Sequence, residues 1–506
     1  LSVLQRLDAE LKRRGDLFRA AGVQDVAAYR DKMQSQQRSP PAAAGGEDGP
    51  PAAAGGLGTL PRILLVVDEF QEFFVEDDKL SQEAALLLDR LVRQGRAFGL
   101  HVLLGSQTLG GAYSLARSTI DQMAVRIALQ CSEADANLIL SKDNNAARLL
   151  SRPGEAIYND ANGLLEGNDV FQVVWLPESR REVYLGRLQQ LARERHWSPP
   201  GPTIVFEGNN PADVESNHLL RRLLEDGPAG GGVHPRRDRT AWLGDALAIK
   251  DPTVAVFRRQ SGSSLLVLGQ QPEPARAVLA AAAVALAAQD VRGEENGTPA
   301  PPVTVLDGSP ADDPHAGYFA RLAATFPDHV RMASLREKPN GLDRLAEELE
   351  RRQRDPHQVY SPLFLVVYGL HRFRDLRKAE DDFGFGRRGE EKAVTPAERF
   401  AELVREGPAM GIHLLVWCDS LANAQRALDR SGLREFDMRV LFQMGVADSS
   451  TLIDSPAASR LGLHRALFAS EELSAPEKFR PYRLPPDEWL TWAASRLARP
   501  RALSPA

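Results

Sequence analysis

Ile63-Leu64-Leu65-Val66-Val67-Asp68-Glu69-Phe70-Gln71 is the stretch whose reading decides the fold. Five consecutive apolar residues, preceded by Pro61 and closed by two acids, predict a strand buried on both faces of a parallel sheet, with Asp68 and Glu69 at its carboxyl end. Open α/β sheets bind ligands at that edge. A carboxylate pair placed there suits nucleotide hydrolysis of the Walker B kind: Asp68 can hold the water shell of a Mg2+ ion, and Glu69 can orient or deprotonate the attacking water. The same residues also fit a core strand whose acids cap the next helix, so the flanks must decide.

Downstream, after an amphipathic stretch rich in Leu and Arg, a second apolar strand is predicted at Leu100–Leu104, ending in Gly105-Ser106-Gln107-Thr108. Gln107 then stands at a strand's carboxyl edge, where a side-chain amide can sense a terminal phosphate and its water. Asp68-Glu69-Phe70, the run Gly95 to Leu104, Ser106-Gln107-Thr108, and Arg126-Ile127-Ala128-Leu129-Gln130 with Asp135 together resemble the FtsK/SpoIIIE family of RecA-type motor ATPases, in the same order. The resemblance implies an α/β P-loop (RecA-like) fold of mainly parallel sheets flanked by helices, with ATP and Mg2+ as cofactors. It gives Asp68 the metal through water, Glu69 the base role, and Gln107 and Thr108 the nucleotide. Arg126 matches the first of the family's arginines near the subunit boundary, while Asn137 replaces a second. Arg126 is thus either an arginine finger or a structural salt bridge.

At 506 residues and 43% hydrophobic content the chain can bury two or three cores. Its net charge of −6 gives no whole-chain sign of a nucleic-acid binder, so any DNA contact must come from local basic surface. Cys131 and Cys418 lie in or beside apolar runs, without metal-ligand spacing, and read as buried thiols in a reducing cytosol. The alanine-rich run from Ala277 to Ala288 is too short to cross a bilayer. A cytoplasmic location follows, with membrane association only through segments upstream of Leu1. Because the chain begins with Leu1, a fragment or processed piece is expected.

Residues 1–35 read as a helical segment; its stripe Glu10, Lys12, Arg13, Arg14 fits a solvated face better than a binding site. The stretch 36–60 repeats Pro-Pro-Ala-Ala-Ala-Gly-Gly and cannot form a core. Residues 61–200 read as the carboxyl-terminal half of a first ATPase domain, with a helix near 180–195. A linker is placed at 201–240, and a second domain at 241–497.

That second domain is an internal repeat. Gly99-Leu-His-Val-Leu-Leu recurs as Gly411-Ile-His-Leu-Leu-Val, Arg126-Ile-Ala-Leu-Gln recurs as Arg439-Val-Leu-Phe-Gln, and Asp135 recurs as Asp448. His101 and His413 share one place in both copies, which favours a structural histidine. The chemistry does not recur: Asp-Glu becomes Tyr368-Gly369, and Gln107-Thr108 becomes Asp419-Ser420. A strand and turn at Leu265–Gly269 precede a helix as in a phosphate-binding loop, but Pro272 and Pro274 remove amide donors and no lysine follows. The second copy is expected to be degenerate and kept for docking or assembly.

No G-x-x-x-x-G-K-[ST] loop occurs in these residues, and the family resemblance puts it upstream of Leu1. The first functional expectation is a DNA translocase, since the family forms hexameric rings around double-stranded DNA. Arg90, Arg93 and Arg96 then either touch phosphates or form a solvated helix face. The second is a protein-export motor like the EccC ATPase of type VII secretion, with a secreted protein as substrate. The third is a non-hydrolysing scaffold.

Overall fold

The computed structural model describes residues 1–38, 60–76, 78–109, 117–197, 210–227, 238–290, 301–337, 339–358, 360–378 and 394–498. Residues 39–59 of the Pro/Ala/Gly-rich stretch, and 201–209 and 228–237 of the expected linker, lie outside them. Two units divide the chain, Leu1–Val205 and Phe206–Ala506.

The first unit runs α1 (Ser2–Ala21), α2 (Val26–Arg38), β1 (Ile63–Val67), α3 (Lys79–Gln94), β2 (Leu100–Leu104), α4 (Arg117–Asp121), β3 (Arg126–Leu129), α5 (Glu133–Ile139), β4 (Glu155–Asn159), β5 (Asn168–Gln172) and α6 (Glu178–Glu194). The strand at 63–67 pairs in parallel with β2, Ile63 opposite Leu100 and Val67 opposite Leu104. Its burial departs from the sequence expectation. Leu65 packs with Leu4, Leu11, Leu88 and Leu91 of α1 and α3, whereas Leu64 and Val66 are 62% and 58% exposed. With a period of two, one face meets the helices and the other meets no covering layer among the described residues of the unit. β3, β4 and β5 form a separate antiparallel sheet. The helix near 180–195 forms as α6, without burying any residue.

The second unit runs α7 (His218–Asp226), β6 (Arg239–Ala246), β7 (Thr253–Phe257), β8 (Leu265–Leu268), α8 (Pro272–Ala288), β9 (Val303–Asp307), α9 (Tyr318–Thr325), β10 (Val330–Ala333), α10 (Gly341–Arg354), β11 (Leu363–Tyr368), α11 (Pro396–Glu406), β12 (Ile412–Cys418), α12 (Leu421–Ala424), α13 (Arg430–Arg434), β13 (Met438–Leu441), α14 (Val446–Ile453), β14 (Ala466–Ala469), β15 (Glu477–Pro481) and α15 (Asp487–Leu497). One ten-stranded sheet has the order β10-β9-β11-β12-β8-β13-β14-β15-β6-β7. It is parallel from β10 to β13 and antiparallel beyond. Helices α7, α8, α9 and α15 cover one face, and α10 and α11 the other. Covered on both sides, β8 has all four residues buried, as continuous apolar strands of parallel sheets require. α8 is buried on every side from Ala275 to Ala288, which is why its run is apolar all round. Among the described residues no helix is long and apolar enough to cross a membrane. Of the stretch 201–240, residues 210–227 fold onto this unit: Asn217 caps α7 and donates to the Tyr482 hydroxyl at 2.9 Å.

The repeat extends further than the sequence comparison reached. Leu363 faces Ile412 as Ile63 faces Leu100, and Gly99 and Gly411 hold φ of 75° and 73° before the second strand of each pair. The helix before each pair carries a buried arginine. Arg14 Nε bonds Glu10 at 2.7 Å, and its other nitrogens bond Phe98 O at 2.7 Å and Pro61 O at 2.9 Å. Arg352 does the same with Glu348 at 2.8 Å, Met410 O at 2.8 Å, Gly411 O at 3.1 Å and Ser361 O at 2.8 Å. Arg14 therefore does not belong to a solvated stripe. Both arginines satisfy carbonyls at strand starts that would otherwise be buried without donors. In one respect the copies differ. β8 stands between β12 and β13, joining the parallel and antiparallel strands into one sheet; among the described residues of the first unit no strand stands between β2 and β3.

Candidate functional site

At the end of β1 the ladder runs on through Gly105 N–H to Val67 O at 2.8 Å and Phe70 N–H to Gly105 O at 3.1 Å. Between them the chain turns at Glu69, whose φ of 51° is left-handed. A glutamate in that region costs about 1–2 kcal/mol. The second copy makes the same turn with Gly369 at φ 80°, the residue that adopts it without steric cost. Retention of a strained glutamate in the first copy points to a use for its carboxylate.

That carboxylate lies across the end of β2. Gln107 Nε2 donates to Glu69 Oε1, the Gln107 backbone N–H reaches Oε2 at 3.4 Å, and Gln71 Nε2 donates to Oε2 at 2.6 Å. Ser106 Oγ in turn donates to Gln71 Oε1. The Gln71 amide does most to hold the Glu69 carboxyl below its usual range; desolvation works against it, and the backbone and side-chain amides of Gln107 add to the lowering. Asp68 is exposed beside it. A Cβ on Gly105 would come within 3.1 Å of Asp68 Oδ1, so a glycine keeps this edge clear. An open hard carboxylate oxygen of this kind suits Mg2+ held through water.

Thr108 is anchored beside the cluster: its hydroxyl donates to Asp135 Oδ1 at 3.0 Å, and Leu109 N–H reaches the same oxygen at 2.9 Å. Burial raises the Asp135 carboxyl, but bonds from Ser132, Leu109 and Thr108 outweigh it and keep it ionised to below its usual range.

Arg126 is placed differently from the finger expectation. Its guanidinium is 7% exposed and donates to Met123 O at 3.1 Å, to Ile139 O at 3.1 Å and to Leu140 O. It ties the start of β3 to the end of α5. Arg439 makes the equivalent bonds to Phe436 O at 3.0 Å and Leu452 O. Occupation by backbone carbonyls in both copies favours the structural alternative over the finger, and Arg126 lies outside the acidic cluster of its own unit. The helix arginines are also engaged, Arg90 with Asp8 at 2.8 Å and Arg93 with Asp89 at 2.9 Å.

In the second unit the corresponding edge is filled. Trp417 stands where the first copy has Gly105 and stacks on Tyr368, with ring centroids 4.5 Å apart. Its Nε1 donates to Gly269 O at 3.1 Å, and the Tyr368 hydroxyl donates to Pro272 O at 3.1 Å. Arg276, buried, lies 4.7 Å from the Tyr368 ring and pairs with Asp313 at 2.6 Å. An indole, a phenol and an internal cation occupy the space beside the turn at Gly269. Sequence comparison caught the loss of the acids but not the tryptophan. Tyr368→Phe, which deletes one hydroxyl and keeps the stack, is expected to leave the chain's nucleotide affinity unchanged in a fluorescence titration. A fall in affinity would place nucleotide at this edge. His413 is structural, as its recurrence suggested: buried, with Nδ1 2.7 Å from Ser263 O, it is pushed down to about 4 by burial. His101, its counterpart, is exposed.

Comparison with known proteins matches residues 1–110 to the FtsK/SpoIIIE family. That span contains Asp68, Glu69, Gln107 and Thr108 and stops before Arg126. The ESX-5 secretion system protein EccC5 of Mycobacterium tuberculosis is 32% identical over 133 residues, 26% of this chain and 8% of EccC5. The DNA translocase FtsK of Pseudomonas aeruginosa is 30% identical over 156 residues, 30% of this chain and 18% of that protein. The matches thus span less than a fifth of these relatives' lengths. Among solved structures, the cytoplasmic domain of the type VII secretion ATPase EccC of Thermomonospora curvata superposes with a TM-score of 0.59 at 17% identity, over 98% of this chain and 55% of that one. EssC (ATPases 2 and 3) of Geobacillus thermodenitrificans superposes with a TM-score of 0.57 at 15% identity, over 96% of this chain and 78% of that one. The chain therefore has the α/β fold of P-loop ATPases, and its residues 1–110 are similar to the FtsK/SpoIIIE family.

Proposed function

We propose that the first unit supplies the hydrolytic edge of an ATP-driven motor and that the second is a copy without nucleotide chemistry. The observation that carries this is the contrast between Glu69, strained and held by Gln107 and Gln71, and Gly369 in the same turn. When bound, Mg2+ neutralises charge on the nucleotide phosphates. Asp68 would hold the ion through water, Glu69 takes a proton from the attacking water, and Gln107, donating through Nε2, fixes the Glu69 carboxylate in one orientation.

For the substrate, we favour protein export of the type VII kind. The sequence match to EccC5 supports it, as does the engagement of Arg90 and Arg93 by carboxylates, which takes two members from the basic stripe meant for phosphates. Movement along duplex DNA is the second reading, favoured by the FtsK match. Either motor would work as a ring, hexameric in the second reading. Turnover of the full-length protein decides between them: stimulation by duplex DNA supports translocation, and stimulation by an export-substrate peptide, with none by DNA, supports secretion.

Gln107→Ala is expected to slow turnover by roughly 10–100-fold, the scale of losing a hydrogen-bond partner that orients a functional side chain, with little change in nucleotide affinity. Single-turnover hydrolysis beside equilibrium binding separates the two. A pure affinity defect would remove Gln107 from the orienting role.

A further inference from the structure

Three positions of the hydrolytic edge have changed together in the second copy. By the shared register, Gln71, Ser106 and Gln107 correspond to His371, Cys418 and Asp419. In the first copy these side chains form the hydrogen-bonded network around Glu69. In the second, each is a residue type that ligates metals.

The turn after Gly369 brings His371 back over the end of β12, edge-on to Trp417 with centroids 5.4 Å apart. Cys418 Sγ lies 3.9 Å from His371 Nδ1 and 3.8 Å from Asp419 Oδ1, and Nδ1 lies 3.6 Å from the same Oδ1. A tetrahedral zinc with sulfur, nitrogen and oxygen ligands separates such atoms by roughly 3.3–3.6 Å. The three atoms would need to close by only a few tenths of an ångström. Asp419 N–H approaches Nδ1 at 3.4 Å, which makes Nδ1 the acceptor nitrogen; this long bond is the one it would give up to a metal. The carboxylate is oriented from outside by Asn423 Nδ2, at 2.8 and 3.1 Å from its oxygens, and by Ser420 Oγ at 3.1 Å. Such outer partners are what fix metal ligands in place. Asp419 is 30% and His371 13% exposed at the side chain, leaving a way in, while Cys418 is buried, too enclosed to serve as a nucleophile.

We propose that His371 Nδ1, Cys418 Sγ and Asp419 Oδ1 form a transition-metal site, suited to Zn2+, that fastens the loop after β11 to the end of β12, with a fourth position open to water. Sulfur with imidazole selects a borderline-soft ion over Mg2+ or Ca2+. On binding, the metal replaces the thiol proton, which is released to solvent, and neither oxidant nor reductant is needed. The proposal is independent of the assignment of hydrolysis to the first unit.

The test is cobalt titration of the full chain after chelator treatment. A single equivalent of Co2+ is expected to give intense tetrahedral d–d bands and a thiolate-to-cobalt band, both displaced by Zn2+. Cys418→Ser should abolish the thiolate band, and His371→Gln should weaken binding by more than the roughly 10–100-fold of an outer-shell loss. Both replacements are the residues of the first copy at those positions, and circular dichroism checks that the fold survives. The chain has two cysteines, so Cys131→Ala should leave the spectrum unchanged. Absence of the bands in the unmodified chain, or a thiolate band lost with Cys131→Ala, would overturn the site and leave a hydrogen-bonded cluster only.

Discussion

Glu69→Gln in the full-length protein is expected to lower ATP turnover by at least about 100-fold, the scale of losing a general base, and to leave nucleotide binding largely intact. The amide keeps the shape of the side chain and can still bond Gln107, so the turn at φ 51° should persist. What is lost is the proton acceptor. The hydrogen bonds that hold this carboxyl below the usual range keep it ionised throughout the neutral region. Its contribution to the rate is therefore present above the ordinary glutamate pKa of about 4.3 and disappears only as pH falls through the lower folded value. An acid limb near pH 6 would have to belong to another group. A variant with near-full turnover would show that Glu69 is not the base and that its strain serves the fold alone.

Arg352→Met should be a large single loss in the second unit, at roughly 3–5 kcal/mol, since three carbonyls lose their donor at about 1–3 kcal/mol each. Methionine fills some of the volume but leaves the carbonyls of Ser361, Met410 and Gly411 without their donor, and Glu348 with Arg351 alone. Burial raises the Glu348 carboxyl while its arginine partners lower it, with a net fall, so the acid depends on that pairing. Denaturant unfolding followed by near-ultraviolet circular dichroism measures the loss. A single variant within about 0.5 kcal/mol of the parent, as for a surface change, would contradict this role.

The acid pair, the glutamine and the repeat were legible in the sequence because each sits at a fixed offset from an apolar run, and strand ends in parallel sheets are where such offsets acquire chemical meaning. The degenerate loop was legible for a similar reason, since proline removes a donor wherever it stands. Arg14 and Arg352 were not. A buried arginine looks like a surface one until the carbonyls that receive it are known, and those lie far away in the chain. At Arg126 the sequence left two readings open, and the carbonyls at the end of α5 that receive its guanidinium favour the structural one. Burial of β1 on both faces was inferred from composition, which cannot report whether a second layer is present. His371 and Cys418 escaped notice because a turn, not spacing, brings them together.

The interruption between β2 and β3 also bears on how the first unit behaves at high concentration. In the second unit β8 satisfies the backbone donors and acceptors on both of its neighbours, whereas the corresponding edges of β2 and β3 have no strand partner among the described residues. With Leu64, Val66 and Leu103 open on the adjoining face, this is an apolar template of the kind that recruits any extended segment of matching length. A chain cut to its first 205 residues should self-associate through strand exchange, and residues 206–506, whose parallel strands are covered on both faces, should not. Sedimentation across a concentration series would separate the two.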